Sequence, residues 1–511
     1  MPIENPIDLD QELEPIDPDD ARYVPMLANL QGNILKSHGR DFAAHLFLRF
    51  TGETKGVRKW VADFTNRFVT SAFRQAQETR EYKLNRISGR AFGGIYITAE
   101  GYRKLGFPLD GFEELQGPGS PNVFFRDGME KESGELNDPP VEEWDEGFRG
   151  RRIHAMILLA DEDQNRLGDV RGRVEKSLAG VAEVLASEDG VALRDKNNKP
   201  VEQFGYRDGI SQPLYYEADV QEERERFGTD RWNPSAPLNL VLTSDPLTDT
   251  PDSFGSYFVF RKLEENVKGF KEAEEELAGK LELPADDEGE SERAGALIIG
   301  RFENGIPVLL SKTEDAEELR DFNNFNYGGK KSELKCPFHS HIRKTNPRGD
   351  TGLVDGKVNE AERMRRITRR GITYGEREKD ANGSPTLEDR PSKNVGLLFQ
   401  CFQSSIPDQF GFMQVQWANN HEFARPVVQP GPPEETGLDP VIGQGTRTAQ
   451  HWPPTWGGAE LKKFDFAGFV TMKGGEYFFA PSIPFLRGLD GELASVASDQ
   501  AEFAVEGAAL N

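Results

Sequence analysis

Seven histidines are spread over the 511 residues: His38, His45, His154, His339, His341, His421 and His451. Two of them fall in CPFHSHIRKTNPR (336–348), with Arg343, Lys344 and Arg348 close behind. An imidazole can ligate a metal, and clustered cations can hold an anionic group. Such a basic knot stands out in a chain with 62 Lys and Arg against 87 Asp and Glu. A solvated basic loop is the plain alternative. His45 and His154 sit inside apolar runs, where a hydrogen-bonded core histidine is the simpler reading. His38, His421 and His451 lie in polar surroundings.

A carboxylate and further arginines complete the set. FGYRDGISQP (204–213) places Arg207 and Asp208 between Gly205 and Gly209. The glycines give the backbone freedom to bring a carboxylate close to a ligand, although a plain turn would use the same residues. RRITRRGITYG (365–375) holds four arginines. They could form a nucleic-acid patch, which the net charge of −25 opposes, or supply one buried guanidinium to a polar pocket. None of these segments is specific alone.

A scaffold must hold these residues, and hydropathy shows its kind. AAHLFLRF (43–50) is a compact apolar run and reads as a buried strand. Lys55 to Val69 reads as an amphipathic helix, with Val57, Trp60, Val61, Phe64 and Phe68 on one face. FGGIYIT (92–98) and RIHAMILL (152–159) read as strands, and Gln164 to Ala179 as a helix. Strand, helix, strand, strand, helix suggests a ferredoxin-like unit. A similar order recurs: strand GSYFVFR (255–261), a charged helix over Leu263 to Leu281, strand VGLLFQCF (395–402), and a helix from Asp408 to Trp417.

The expected fold class is therefore α+β, with two ferredoxin-like domains whose antiparallel β-sheets are flanked by helices. The expected divisions are an acidic, flexible segment (1–22), an N-terminal domain (23–235) and a C-terminal domain (236–511). Residues 129–147, 284–293, 376–393 and 429–450 read as loops. The tail after Pro484 carries no readable pattern.

Composition narrows the class. Two cysteines, Cys336 and Cys401, make no disulfide framework and no zinc spacing. The N-terminus MPIENPIDLDQELEPIDPDD has neither a basic nor an apolar region of a secretory signal, and no run of apolar residues is long enough to span a bilayer. A cytoplasmic protein that binds neither nucleic acid nor membrane is expected.

Taken in order, FGYRDGISQP, CPFHSHIRKTNPR, RRGITYG and GLLFQCFQSSIPDQFGFMQVQW (396–417) resemble the dye-decolorizing peroxidases. LQGNILKSHGRDFAAHLFLRF (30–50) is similar to their N-terminal strand region, so the likeness runs from about Leu30 to Pro484. The length and insertions look like the larger bacterial members. The resemblance implies haem b, one per chain, with His341 as the iron ligand and Asp208 and Arg369 as the distal carboxylate and arginine. It further implies that Leu397 and Phe399 wall the distal pocket, that Arg343 and Arg207 lie near the cofactor, and that Trp417 relays oxidising equivalents to the surface. His339 stands where a small residue is usual, and Thr373 where proline is.

The implied activity is reduction of hydrogen peroxide through a ferryl state, with one-electron oxidation of bulky aromatic, phenolic or dye-like reductants. Asp208 would be the general acid/base, kept ionised into acidic solution by Arg207 and Arg369. Arg369, always protonated, would stabilise developing negative charge. An axial imidazole needs an acceptor on its second nitrogen, and Asp408 is one candidate. A haem carrier or iron-release protein is the alternative; it would need His341 but not Asp208 and Arg369 together.

Overall fold

The computed structural model describes residues 7–113, 123–150, 152–284, 292–329, 332–354, 357–378, 389–423, 435–466 and 468–491. Four segments in the first part of the chain, the first three of them apolar, form strands: β1 (Phe42–Phe50), β2 (Phe92–Ile97), β3 (Ala155–Asp161) and β4 (Ala182–Val191). β2 and β3 are buried at every position, as expected of strands covered on both faces. They pair antiparallel in the order β4–β1–β3–β2, with His45 opposite both Leu158 and Glu188.

The second part repeats the pattern with β5 (Phe254–Glu265), β6 (Ile372–Tyr374), β7 (Gly396–Gln403) and β8 (Val470–Ala480). Their order is β8–β5–β7–β6, the same 4-1-3-2 arrangement within each half. The halves meet through Phe479 opposite Ile97 and Tyr374 opposite Gly190, which closes the strands into a barrel. Closure removes the open edges that each sheet would otherwise present.

The 34 phenylalanines find their use here. Phe47 and Phe260 meet edge to face at 4.7 Å across the two halves, Tyr96 stacks on Phe258 at 4.6 Å, and Phe258 touches Phe402 at 4.7 Å. Aromatic side chains from facing sheets fill the interior, and their edge-to-face contacts add to the area they bury. His45 and His154 are core histidines. His45 Nδ1 donates to the Glu188 carbonyl at 3.1 Å and Nε2 accepts from Gln400; His154 Nδ1 accepts from the Phe50 N–H.

Helix Thr54–Phe68 buries Val57, Trp60, Val61 and Phe64, the face expected. Helix Gln164–Ser177 starts where Asp163 caps the Asn165 and Arg166 N–H groups. The charged helix begins later than expected, at Val267: Leu263 to Glu265 still belong to β5, and Asn266 caps the helix through the Gly269 N–H. Residues 408–417 coil with π-helical turns, Pro407–Gly411 and Met413–Ala418. Strands β4, β6 and β8 and helix Ala72–Asn85 were not anticipated.

The acidic N-terminal segment is not loose from Ile7 onward. Ile16 is buried, its N–H donates to the Tyr215 carbonyl, and its own carbonyl accepts from Glu217. The expected loops 284–293, 376–393 and 429–450 and the tail fall partly outside the described residues. Among the described residues, no helix is long and apolar enough to cross a membrane.

Phe258 is fully buried where Tyr96, Phe402 and Phe478 converge. Phe258→Ala is expected to destabilise the barrel by about 3–5 kcal/mol. Chemical denaturation would show this, and a loss under about 1 kcal/mol would mean the halves do not depend on this packing.

Candidate active site

Asp208 is presented by a tight turn. The Glu202 carboxylate accepts from the Phe204 N–H at 2.8 Å and the Tyr206 N–H at 2.7 Å, and Gly205 and Gly209 adopt φ of 102° and 81°. Those left-handed angles suit glycine and explain the pair flanking Arg207-Asp208. Arg369 lies on a short strand, Thr368–Arg369, that pairs with β7 at Cys401. Its backbone N–H donates to Gln212 and its Nη1 donates to Asp208 Oδ1 at 2.7 Å. Burial alone would raise the Asp208 pKa. The Arg369 charge, the Gly209 N–H, the Arg369 hydrogen bond and the His341 charge outweigh it and hold the carboxyl below its usual range.

His341 opens a five-residue helix, His341–Thr345. Its Nδ1 lies 2.9 Å from Asp439 Oδ2 and 3.2 Å from Oδ1. Asp439 has no exposed side chain, and its Oδ1 also accepts from the Val441 and Ile442 N–H groups at 2.8 and 3.0 Å. This fixes the imidazole and leaves Nε2 without a partner among the described residues. His339 is a different case. It is buried outside the cavity, its Nδ1 meets the Thr436 carbonyl, and its ring packs edge to face on Trp452 at 4.3 Å.

One cavity gathers Arg207, Asp208, His341, Arg369, Leu397 and Phe399, with 1470 Å³ of empty space including the part open to solvent. Leu397 and Phe399 alternate on β7 and so share a face. Arg207 reaches the lining, but its guanidinium is spent on a two-pronged pair with Asp321 at 3.0 Å.

Arg343 is not brought to the cavity. It is buried against Asp350, with Nε 2.6 Å from Oδ2, and against the Cys336 and Gly329 carbonyls, between the rings of Tyr327 and Phe338. Its Nε and Nη2 donors go to Asp350 and Gly329 and its Nη1 to Cys336, so the guanidinium faces Asp350 and not the cavity. Trp417 is 4% exposed, packed on Phe412 and Phe423, and is therefore no surface residue. Asp408 pairs with Arg365 at 2.9 Å; the acceptor on His341 is Asp439 instead.

Three further arginines line the cavity; by sequence Arg348 and Arg366 stood out only as members of basic clusters, and Arg301 not at all. Arg301, Arg348 and Arg366 are buried, and none has an ion-pair partner among the described residues. Arg348 spends its donors on the Asn323 and Phe325 carbonyls and Ser211 Oγ, and Arg301 Nη2 has no hydrogen-bond partner among the described residues. Burial outweighs the more distant acidic groups and pulls the pKa of all three down. Buried, unneutralised cations on a cavity wall are a site for an anion. The spacing of Arg348 within the basic segment was the available signal. For Asp439 it was an Asp-Pro set among Leu438, Val441 and Ile442 in a loop rich in glycine.

The barrel and this cavity define an enzyme of the dimeric α+β barrel class. The profile of the DyP dimeric alpha+beta barrel domain matches residues 29–192. The chain is 43% identical over 470 residues to the multifunctional dye peroxidase DyP2 of Amycolatopsis sp., covering 91% of this chain and 96% of that one. It is 32% identical to a dye-decolorizing peroxidase of Mycena epipterygia, covering 70% of each. Its structure matches the crystal structure of the Anabaena sp. DyP-type peroxidase with a TM-score of 0.83 at 41% identity, over 94% of this chain and 99% of that one. The chain belongs to the dye-decolorizing peroxidase family, and it is a peroxidase.

Asp439→Ala would strip the acceptor from His341 Nδ1 and two backbone N–H groups. A loss of about 1–3 kcal/mol for each buried donor left unpaired is expected on thermal unfolding. An unchanged melting temperature would mean that Asp439 does not anchor this wall.

Proposed function

We propose that this peroxidase works with haem b, one per chain, which His341 would hold through its iron in the cavity, and that it reduces hydrogen peroxide while oxidising bulky aromatic, phenolic or dye-like compounds by one-electron steps. The observation that carries this reading is that a carboxylate-anchored histidine and the Asp208–Arg369 pair line the same cavity. The donor set fits the group: an imidazole nitrogen with no other partner suits iron, and Arg301, Arg348 and Arg366 offer unneutralised charge for the propionates. When bound, haem supplies the iron at which the peroxide O–O bond breaks and where the oxidising equivalents are held.

The protein groups then divide the work. Asp208 Oδ1 is occupied by Arg369 and Gly209, so Oδ2 is the atom free to take the peroxide proton and return it to the departing oxygen. Arg369 stabilises the negative charge that develops on that oxygen. Asp439 keeps Nδ1 of His341 protonated and the ring oriented, which increases its donation to a metal. Leu397 and Phe399 narrow the space above, so large reductants would be oxidised from outside. Trp417 then serves as an inner step of that route. The two sheet halves support a domain division near residues 235 and 236, and two buried, unbridged thiols suit the cytoplasm.

Asp208→Asn is expected to slow the reaction with peroxide at least about a hundredfold in stopped-flow mixing, with cofactor content unchanged. Arg369→Gln removes the main influence lowering the Asp208 pKa. The carboxylate would then protonate at higher pH, and the acid limb of the peroxide rate would move upward. A limb that stays in place, or an Asp208→Asn enzyme as fast as wild type, would remove Asp208 from this role.

A further inference from the structure

Glu265 closes β5 on the cavity side. Leu263, two residues earlier, stands opposite Leu397 of β7, and alternation carries Glu265 to the same face. It lines the cavity, is 4% exposed, and its Oε2 has no hydrogen-bond partner among the described residues. The Gln203 N–H and, more weakly, the Arg377 charge support its carboxyl group. A buried carboxylate so poorly solvated is strongly disfavoured, whereas a carboxylic acid is not.

Its neighbours point the same way. From the turn come Glu202 and Asp208, from the segment after β6 comes Arg377, and from β6 comes Tyr374. Arg377 is engaged with Asp389 and Gln203, and Arg369 with Asp208. Glu202, Asp208 and Glu265 thus share one space, and carboxylates this close do not all ionise. Burial, then the charges of Glu202 and Asp208, hold Glu265 well above the usual carboxylate range. Burial also lifts Glu202 to about 7, against its two backbone hydrogen bonds and the Lys271 charge.

Resting on the reading above, we propose that Glu265 is the proton store of this site, a carboxylic acid that hands its proton into the cavity during turnover, with Glu202 beside it. The overall reaction takes up protons that such a donor can deliver inside the cavity. Reducing one hydrogen peroxide to two waters takes up two electrons, which the reductant supplies, and two protons. The proton that Asp208 moves passes only from one peroxide oxygen to the other, so it adds none. Glu265 breaks its O–H bond as a cavity oxygen gains the proton, and the resulting carboxylate is reprotonated from solvent through Glu202.

Glu265→Gln keeps the shape and removes the titratable proton, and Glu265→Asp keeps the acid. On the full-length protein as isolated, the infrared carbonyl band of a protonated carboxylic acid at neutral pH is expected in wild type and reduced in Glu265→Gln. Thermal stability supplies a second reading. The unfolded chain releases this proton at the ordinary glutamate pKa and the folded chain later, so wild type loses stability as pH rises above that range. Glu265→Gln should flatten the loss.

In the haem-loaded enzyme, Glu265→Gln should lower steady-state turnover at least about tenfold above neutral pH. The peroxide step should stay within about twofold of wild type, and Glu265→Asp should recover most of the turnover. Identical infrared bands and identical stability profiles would overturn the proposal. So would wild-type turnover in Glu265→Gln at every pH, or an equal fall in both steps. A wild-type protein without peroxide-driven turnover would instead overturn the function proposed above, and the infrared result would still stand on its own.

Discussion

Asp439 has no exposed side-chain surface, so its charge must be matched inside the protein. His341 Nδ1 and the N–H groups of Val441 and Ile442 do this within 3.0 Å. Buried carboxylates held in this way are poor sources of net stability, because desolvation offsets most of the attraction. Their contacts are, however, costly to break one-sidedly, and so they hold geometry. Charged groups around the cavity obey the same constraint. Asp208 is matched by Arg369 and Arg207 by Asp321 on its wall, and Arg343 by Asp350 behind it. Arg301, Arg348, Arg366, Glu202 and Glu265 have no ion-pair partner among the described residues, and are the groups proposed to serve a ligand or a proton.

The barrel makes this arrangement possible. Each half alone would leave edge strands open and its aromatic face bare. Together they bury Phe47, Phe258, Phe260, Phe402 and Phe478 in one interior. Where β5 meets β7, backbones come so close that a Cβ on Gly396 would lie 1.9 Å from the Leu263 carbonyl oxygen. That approach sets Leu263 and Glu265 beside Leu397 and Phe399 on one wall. The turn carrying Asp208, the strand carrying Arg369 and the helix carrying His341 are then placed around it. Residues 208, 341, 369 and 439 come together only through this long-range packing.

Much of this was legible in the chain. The apolar runs at 43–50, 92–98, 255–261 and 395–402 are strands because they are covered on both sides, and such runs are visible in any sequence. β4 was missed because AEVLASEDGV is largely exposed and mixes polar with apolar residues. Glu265 was read into a helix because its charged neighbours continue into one, and only the Asn266 cap marks the change. Asp208, His341 and Arg369 sit in recognisable local motifs, and the structure gathers them around one cavity. Asp439 lies 98 residues from His341, and nothing local betrays the pairing. Arg343 misled because a basic cluster shows its charges but not which of them Asp350 will neutralise.

In the proposed function, His341, held by Asp439, binds and tunes the cofactor beside Asp208 and Arg369. The most direct test is the visible absorption spectrum of the haem-loaded protein before and after one equivalent of hydrogen peroxide, for wild type and for His341→Ala. The account predicts a Soret band in wild type that shifts rapidly with peroxide, and its loss or strong alteration in the variant. A variant with the same spectrum and the same response would contradict the ligand assignment, and a wild-type protein that takes up no haem would contradict the account as a whole.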